Sequence, residues 1–252
     1  TIESLVYGRP AALNIDPIEK KPLFHFYPGS RALSVGTCGC NMSCTHCQND
    51  SISQAGCATQ PPAQHLDPET IVTLARDRSC ASIAYTYNEP VIFWDYARDT
   101  AELAQQHSIK NVFITNGFWS KQAGEKMAPH MHGANIDLKF FREKSYQNIC
   151  GARLKPVLET IEYLFSRQVW VEITTLVIPG LNDSDEELRD IARFIANLSP
   201  SLPWHVSRFH PAYKMRERSP TPPPTLNRAR EIGLAEGLSY VYTGNVPGDR
   251  GE

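Results

Sequence analysis

The sequence predicts an α/β fold, an incomplete (β/α)6 TIM-type barrel that follows an irregular N-terminal arm. From residue 31 onward, short apolar or β-branched runs alternate with segments of helical periodicity, which is typical of βα units and a parallel sheet. Six such units and a short seventh strand are too many for a small open sheet and fewer than the eight units of a complete barrel. We therefore expect an arm over residues 1–30 and a partial barrel over residues 31–252.

Seven strands are predicted from short apolar runs that end in turn residues, at residues 31–36, 81–85, 111–115, 134–139, 169–178, 204–209 and 239–242. Asp67 and Pro68 are typical of an N-cap and a first helical residue. Ser184 and Glu187 form a capping-box pattern before another helix. Three further helices are expected near residues 91–106, 157–164 and 225–236. The arm carries four prolines and shows no sustained periodicity.

Composition indicates one barrel-sized domain in a reducing compartment. At 252 residues with 41% hydrophobic content the chain can bury a full core, and a net charge of −2 gives no general signal for nucleic acid or an anionic membrane. No apolar run approaches the ~18 residues that span a bilayer, and the first residues do not resemble a secretion signal. The odd count of seven cysteines argues against disulfide staples, so we expect a cytoplasmic protein without a membrane partner.

Four of the cysteines lie in residues 36–54, a loop rich in Gly, Asn and Ser. Cys40, Cys44 and Cys47 follow the order Cys-x3-Cys-x2-Cys, which allows three thiolates to turn inward around a soft metal centre. A structural zinc site or an electron-transfer iron–sulfur cluster normally has four protein ligands, so three local cysteines leave one metal position open. The scattered Cys57, Cys80 and Cys150 are interpreted as core or loop residues.

Polar side chains follow the predicted strands at the end where βα barrels form their sites. Strand five places Glu172, Thr174 and Leu176 on one face, and we expect this face to line the lumen because a carboxylate is costly against the outer helices. Taken singly, these residues also fit turns or a buried ion pair, but their joint occurrence at successive strand ends favours a polar ring. The strand-end residues are Asn88, Glu89, Thr115, Asn116, Asp137, Lys139, Arg208 and His210.

The segment 39–47, Gly-Cys-Asn-Met-Ser-Cys-Thr-His-Cys, resembles the cluster loop of radical S-adenosylmethionine (SAM) enzymes. The strand-end motifs at 85–90, 116–117, 137–139 and 177–180 resemble those of the pyruvate formate-lyase-activating branch of that superfamily. The chain is most similar to the AmmeMemoRadiSam radical SAM proteins, on the strength of segments 14–26, 150–153, 204–211 and 244–248.

This resemblance implies that Cys40, Cys44 and Cys47 hold a [4Fe–4S] cluster whose fourth iron chelates SAM. Reductive cleavage of SAM would then give a 5′-deoxyadenosyl radical that abstracts hydrogen from a substrate. By position, the resemblance assigns Asn88 and Glu89 to the methionine amino group, Thr115, Asn116, Asp137 and Lys139 to the carboxylate and ribose, and Thr174, Leu176 and His210 to the adenosyl group. His46 stands where the family usually has an aromatic residue that packs on adenine.

Two further departures from the family pattern concern the same region. Tyr87 and Asn88 occupy positions where two glycines are common, and Ile114 replaces an acid that the activating enzymes carry. Candidate substrate-side residues are Tyr87, Glu172 and Arg208, and the substrate itself is not identified by the sequence. The resemblance also implies an electron donor of the ferredoxin or flavodoxin type and an association with Memo-like and AMMECR1-like proteins.

Three other functions compete with this interpretation. A close relative in activity would be an activase that installs a glycyl radical on a partner protein. A non-enzymatic iron–sulfur electron carrier would need a fourth protein ligand, for which Cys38 is the near candidate. A structural zinc loop would draw its ligands from Cys38, the three motif cysteines and His46.

Overall fold

The protein is described by a computed structural model over residues 4–54 and 64–246. It confirms the α/β class: eight strands form one sheet in the order β1 to β8, and within the described residues β8 does not pair back to β1. Strand β1 is antiparallel to β2, and the neighbours from β2 to β8 are parallel. No helix in these ranges is both long and apolar enough to cross a bilayer.

The strands are β1 (Ala12–Pro17), β2 (Arg31–Gly36), β3 (Ser82–Tyr85), β4 (Lys110–Thr115), β5 (Gly133–Asp137), β6 (Trp170–Val177), β7 (Trp204–Arg208) and β8 (Val241–Gly244). The α-helices are α1 (Asp50–Ser53), α2 (Pro68–Asp77), α3 (Trp94–Gln106), α4 (Lys121–Met127), α5 (Glu143–Ser145), α6 (Leu154–Ser166), α7 (Asp185–Leu198) and α8 (Pro223–Ala235). Short 3₁₀ turns occupy Ile18–Lys20, Pro90–Phe93, Ala128–His130 and Tyr213–Met215, and a π turn occupies Tyr146–Cys150.

All seven predicted strands are present, as β2 to β8, but the arm contains a strand that the sequence did not predict. Strand β1 pairs along its whole length with β2, from Ala12 opposite Gly36 to Pro17 opposite Arg31. Its six residues alternate only weakly and end in Asp16 and Pro17, so the strand depends on its partner and not on local propensity.

Two helices begin with the N-capping residues that the sequence predicts. The Asp67 side chain accepts a hydrogen bond from the Thr70 amide at 2.8 Å, and Pro68 is the first helical residue of α2. Ser184 caps α7 by accepting from the Glu187 amide at 3.3 Å. The reciprocal half of the capping box is missing, because the Glu187 carboxylate instead accepts from the Phe141 amide at 2.6 Å.

The arm packs against the face of the sheet opposite the helices and forms the floor of the partial barrel. Ile18 and Leu23 are fully buried and Phe26 is nearly so, against small residues of β2, β3 and β4. A Cβ added at Gly133 would lie 3.1 Å from the Phe26 ring, so the glycine permits this close approach. The Asn135 amide donates to the Pro22 carbonyl at 2.8 Å. The lower end of the barrel is therefore filled by the chain's own N-terminal segment.

Glu172 of β6 binds the backbone of the arm through its carboxylate. Its carboxylate is fully buried and accepts from the Phe24 and His25 amides at 3.0 and 2.9 Å. It also accepts from the Trp170 indole at 3.0 Å and lies 2.7 Å from Nε2 of His205. Burial alone would raise the pKa of Glu172, but the His205 bond and these donors lower the pKa below its usual value. Glu172 therefore remains a carboxylate that ties the arm to β6 and β7.

We expect Leu23→Ala to lower the free energy of unfolding by about 2–5 kcal/mol, because it opens a cavity in the floor of the barrel. Leu5→Ala is the matched control, since Leu5 is 65% exposed and should change the stability by no more than about 0.5 kcal/mol. Urea denaturation of both variants measures the difference. Equal losses would show that the arm does not fill the barrel.

Candidate functional site

A cavity of ≈ 250 Å³ lies at the carboxyl ends of the parallel strands, and we call it the cofactor cavity. It brings together the three predicted metal ligands and nine of the ten predicted cofactor residues. These lining residues are Cys40, Cys44, Cys47, His46, Asn88, Glu89, Thr115, Asn116, Asp137, Lys139, Thr174 and Leu176. Tyr87, one of the three substrate-side candidates, lines it as well.

The cysteine loop is held in place by backbone hydrogen bonds to the π turn before α6. The Ser43 and Thr45 amides donate to the Cys150 and Ile149 carbonyls, each at 2.9 Å. Within the loop the Met42 amide donates to Cys40 Sγ at 3.5 Å, and Cys47 Sγ lies 3.1 Å from the Ser53 hydroxyl. The loop therefore presents three sulfurs whose positions are fixed by their surroundings.

All three motif cysteines are free thiols, with Cys44 buried and Cys40 and Cys47 partly exposed. Burial raises the pKa of Cys40 to about 11. The pKa of Cys44 is lowered to about 7 by the hydrogen bond from the Cys150 thiol, aided by the positive charge of Lys139. Ligation of a metal needs the thiolate form, and the positive charge of Lys139 favours that form at Cys44.

The donor set fits an iron–sulfur cluster with a bound ligand better than a single metal ion. Within residues 4–54 and 64–246, no three His, Cys, Asp or Glu side chains are placed to hold one ion in common. A [4Fe–4S] cluster does not need such convergence, because each thiolate binds a different iron. Two buried polar atoms, Nδ1 of His46 and Oγ1 of Thr174, have no hydrogen-bond partner among the described residues and belong to residues that line the cavity. Such atoms are costly unless a ligand satisfies them.

Glu89 is the most heavily hydrogen-bonded side chain of the site. Its carboxylate is 1% exposed and accepts from the Asn116 amide and the Trp119 indole, both at 2.8 Å. The Thr115 hydroxyl lies 2.9 Å from each carboxylate oxygen, and the Val91 amide donates at 3.2 Å. Burial raises the pKa of Glu89, and these donors offset part of that rise. Trp119 was not predicted, because nothing in the local sequence shows that its indole turns back to this carboxylate.

Two asparagine side chains join the strand ends to the cysteine loop. The Asn88 amide donates to the Gly39 carbonyl at 2.9 Å and accepts from the Thr37 amide at 3.2 Å. The Asn116 amide donates to the Asn41 side chain at 2.8 Å. Part of the polar ring therefore positions the loop, a role that the residue types alone do not reveal.

Asp137 and Lys139 form an ion pair of 2.8 Å on the cavity wall. Their side chains are 32% and 15% exposed, so the pair is only partly open to solvent. Burial lowers the pKa of Lys139, but Asp137 and Cys44 raise it by more, and the net pKa lies well above its ordinary value. Lys139 therefore presents a permanent positive charge to the cavity at neutral pH.

Tyr87 is held in a left-handed backbone conformation with φ of +71°, which a residue with a side chain seldom adopts. Its hydroxyl lies 3.1 Å from Oδ2 of Asp16 and accepts from the Asn14 amide at 3.0 Å. The Lys21 ammonium lies 4.8 Å from the centre of the ring. Three residues of the arm thus fix Tyr87 at a position where glycine would be unstrained.

Three predicted site residues lie outside the cofactor cavity. His210 is exposed two residues beyond the end of β7, and with Arg208 it lines a separate surface pocket. The Arg208 guanidinium donates to the Thr221 carbonyl at 2.8 Å. Glu172 is the third residue of β6 and lies beneath Thr174, at the level of the arm, so it cannot reach the cavity at the strand ends.

The remaining cysteines lie in different environments. Cys38 is 7% exposed and disulfide-bonded, contrary to the expectation from the odd cysteine count. It does not line the cofactor cavity, so it is not available as a fourth thiolate. Cys80 is a free core residue, as expected. Cys150 is also a buried free core residue, as expected, and its thiol influences the pKa of Cys44. Cys57 lies outside the described residues.

Comparison with known proteins identifies the family. The model of the Radical SAM superfamily matches residues 34–195, more than half of the chain. The chain therefore belongs to the radical SAM superfamily: it is a radical SAM enzyme, and its cofactors are a [4Fe–4S] cluster and SAM.

The relatives extend over most of the chain. An uncharacterized protein of Methanocaldococcus jannaschii is 43% identical over 247 residues, which are 98% of this chain and 73% of that protein. The pyruvate formate-lyase 1-activating enzyme of Escherichia coli K12 is 23% identical over 230 residues, covering 85% of this chain and 93% of the relative. A radical SAM methyltransferase structure from Sphaerobacter thermophilus has the same fold, with a TM-score of 0.67 at 15% identity, over 86% of this chain and 67% of the other.

We expect Cys44→Ala to lose most of the iron that the anaerobically reconstituted protein binds, about four per chain, because a cluster ligand is removed. Cys80→Ala is the control, since Cys80 is an equally buried free thiol that does not line the cavity. Iron analysis and the visible absorption spectrum measure the outcome. Equal iron loss in both variants would contradict the assignment.

Cys38→Ala separates the enzyme from the electron carrier. We expect it to keep its full iron content, because Cys38 lies outside the cavity. Loss of the cluster in this variant would instead show that Cys38 is a fourth ligand.

Proposed function

We propose that the enzyme cleaves SAM reductively to a 5′-deoxyadenosyl radical, which abstracts hydrogen from a substrate that the sequence does not name. The observation that carries this proposal is the cofactor cavity itself. It places three free thiols, a permanent cation and two polar atoms without a partner among the described residues around one space. When bound, the reduced cluster supplies the electron that breaks the sulfonium bond of SAM.

The roles proposed for the cavity residues follow from their charge and position. Lys139 is suited to the methionine carboxylate, because its ammonium is cationic and only partly solvated. Glu89 supplies negative charge for the methionine amino group, and Asn116 and Thr115 hold that carboxylate in place. His46 and Thr174 offer their unpartnered atoms to the adenosyl group, beside the apolar Leu176. Asn88 acts through the cysteine loop that it supports.

We further propose that the chain is an AmmeMemoRadiSam-type enzyme of the cytoplasm. Segment 14–26, one basis of that resemblance, contributes four of the six residues of β1 and part of the barrel floor, and it contacts Tyr87 through Asp16. The division into an arm, residues 1–30, and a partial barrel, residues 31–252, belongs to the same proposal. Its expected partners are a ferredoxin- or flavodoxin-type electron donor and Memo-like and AMMECR1-like proteins.

The decisive measurement is anaerobic production of 5′-deoxyadenosine from SAM with dithionite as reductant. We expect Lys139→Met to raise the KM for SAM about 10- to 100-fold, because a charge-assisted contact to the carboxylate is lost. Lys126→Met, at an exposed lysine of α4, is the matched control and should leave KM unchanged. A fully reconstituted protein that releases no SAM-derived product would overturn the proposal.

A second candidate function is activation of a glycyl radical enzyme. It is favoured by the 23% identity to the pyruvate formate-lyase 1-activating enzyme over 93% of that protein's length. Against it, Ile114 lines the cavity at the position where the activating enzymes carry an acid.

Electron paramagnetic resonance distinguishes the two functions. If the chain is an activase, mixing the reduced enzyme and SAM with its partner protein should give a glycyl radical signal that a Cys44→Ala sample does not give. If 5′-deoxyadenosine forms while no candidate partner ever shows that signal, the activase function is excluded and the general radical function stands.

A further inference from the structure

A second cavity of ≈ 650 Å³ lies beside the cofactor cavity, between the arm and the edge of the sheet formed by β7 and β8. We call it the lateral groove and define it by Pro17, Pro22, Phe24, His205, Tyr242 and Asn245. Ser207 and Asn245 line both cavities, and the Asn245 amide donates to the Ser207 hydroxyl at 2.9 Å. These two side chains are a common wall, so a molecule in the groove lies next to the cofactor cavity.

His205 is the buried polar side chain of the groove, at 3% exposure. Its Nε2 lies 2.7 Å from Oε2 of Glu172, which is ionised and can only accept, so Nε2 carries the proton. The other ring nitrogen, Nδ1, has no hydrogen-bond partner among the described residues. In the neutral ring, Nδ1 is therefore an acceptor, and it belongs to a side chain that lines the groove.

Three aromatic rings line the groove, and its two charged residues, Glu19 and Lys20, each have a polar partner within the arm. The Tyr242 ring stacks on His205 with centroids 5.4 Å apart, and the Phe24 ring meets His205 edge-on at 4.7 Å. Glu19 at the rim accepts from the Gly29 amide at 2.6 Å, and Lys20 reaches Asp16 at 3.4 Å. Such walls favour a flat, neutral π surface over an ion. The volume lies within the range of about 300–1,000 Å³ that is usual for small-ligand sites.

We propose that the lateral groove binds the substrate of the radical reaction through a neutral aromatic ring whose N–H or O–H group donates to Nδ1 of His205. Glu172 is then a positioning residue, which fixes the tautomer of His205. This inference rests on the proposed function for its link to radical chemistry. The groove presents the ring beside the wall of Ser207 and Asn245, which is the side on which the cofactor cavity lies.

If Glu172 and His205 only stabilise the fold, the expected result differs from that for a ligand site. Glu172 also accepts from the Phe24 and His25 amides, so Glu172 and His205 stabilise the arm whether or not a ligand binds. In that case the electronic state of Nδ1 would not respond to any added molecule. A bound donor would instead change the ¹⁵N resonance of Nδ1 directly.

The test uses the full-length oxidised holoenzyme with ¹⁵N-labelled histidine rings, observed by long-range ¹H–¹⁵N correlation. The probe is 4-fluorophenol, and fluorobenzene is the matched compound without a donor. The His205→Gln spectrum assigns the His205 signals. We expect the Nε2–H tautomer, and a saturable shift of Nδ1 with 4-fluorophenol that fluorobenzene does not produce.

One further variant tests an aromatic wall without substituting His205 itself. Phe24→Ala should weaken 4-fluorophenol binding about fivefold, because an aromatic wall is lost. Phe165→Ala is the matched control, since Phe165 is a 36%-exposed residue of α6 that does not line the groove. Binding is measured by titration of the ¹⁹F signal of the probe.

The inference is overturned by a protonated Nδ1, whether in the Nδ1–H tautomer or the imidazolium, by a lack of 4-fluorophenol binding, or by binding that leaves Nδ1 unchanged. Equal weakening by Phe24→Ala and Phe165→Ala would also overturn it. None of these readouts needs SAM cleavage. A negative result therefore leaves the 5′-deoxyadenosine assay standing, and failure of that assay leaves the binding result interpretable.

Discussion

The site depends on one buried carboxylate, that of Glu89, at the turn after β3. A carboxylate removed from water is stable only if its oxygens are satisfied by donors, and here the donors come from the loop after β4. Its neighbour Asn88 bonds to the cysteine loop after β2. Two adjacent residues thus fix the relative positions of three strand ends, and the cofactor cavity has the shape that these bonds impose.

The arm contributes to the site as well as to stability. Asp16 of β1 bonds to Lys21, to the Ser34 hydroxyl and to Tyr87. Burial would raise the pKa of Asp16, but the Lys21 ammonium and the two hydroxyls lower it to about 2, so Asp16 is ionised throughout the physiological range. The strained backbone of Tyr87 is therefore maintained by a charged network that begins in the N-terminal segment.

The sequence predicts most of the sheet and much of the cavity lining, because both depend on local patterns. Apolar runs identify β2 to β8, and the rule that barrel sites form at strand carboxyl ends groups Glu89, Asn116, Asp137 and Lys139. The spacing of three cysteines likewise identifies the loop. Each of these inferences needs only the residue type and its position along a strand.

The missed features depend on long-range packing. Strand β1 exists because β2 pairs with it, and Trp119 reaches Glu89 only through the course of its loop. His210 was expected in the cavity, but the chain leaves the barrel wall after β7. Glu172 does face away from the helices, as expected, yet its height along β6 brings it to the arm. The alternation of residues along a strand predicts which face of the sheet a side chain lies on. Its height within the barrel can be interpreted only when the residues that fill the barrel are known.

The three thiols of the cluster site differ in solvent exposure, so the site is more accessible on one side than on the other. Cys44 is buried, whereas Cys40 and Cys47 are partly open. Solvent therefore has more access to the site on the Cys40 and Cys47 side, and we expect a molecule seated there to reduce that access. A redox-inert ligand that covers this side is then expected to lengthen the lifetime of the cluster in air.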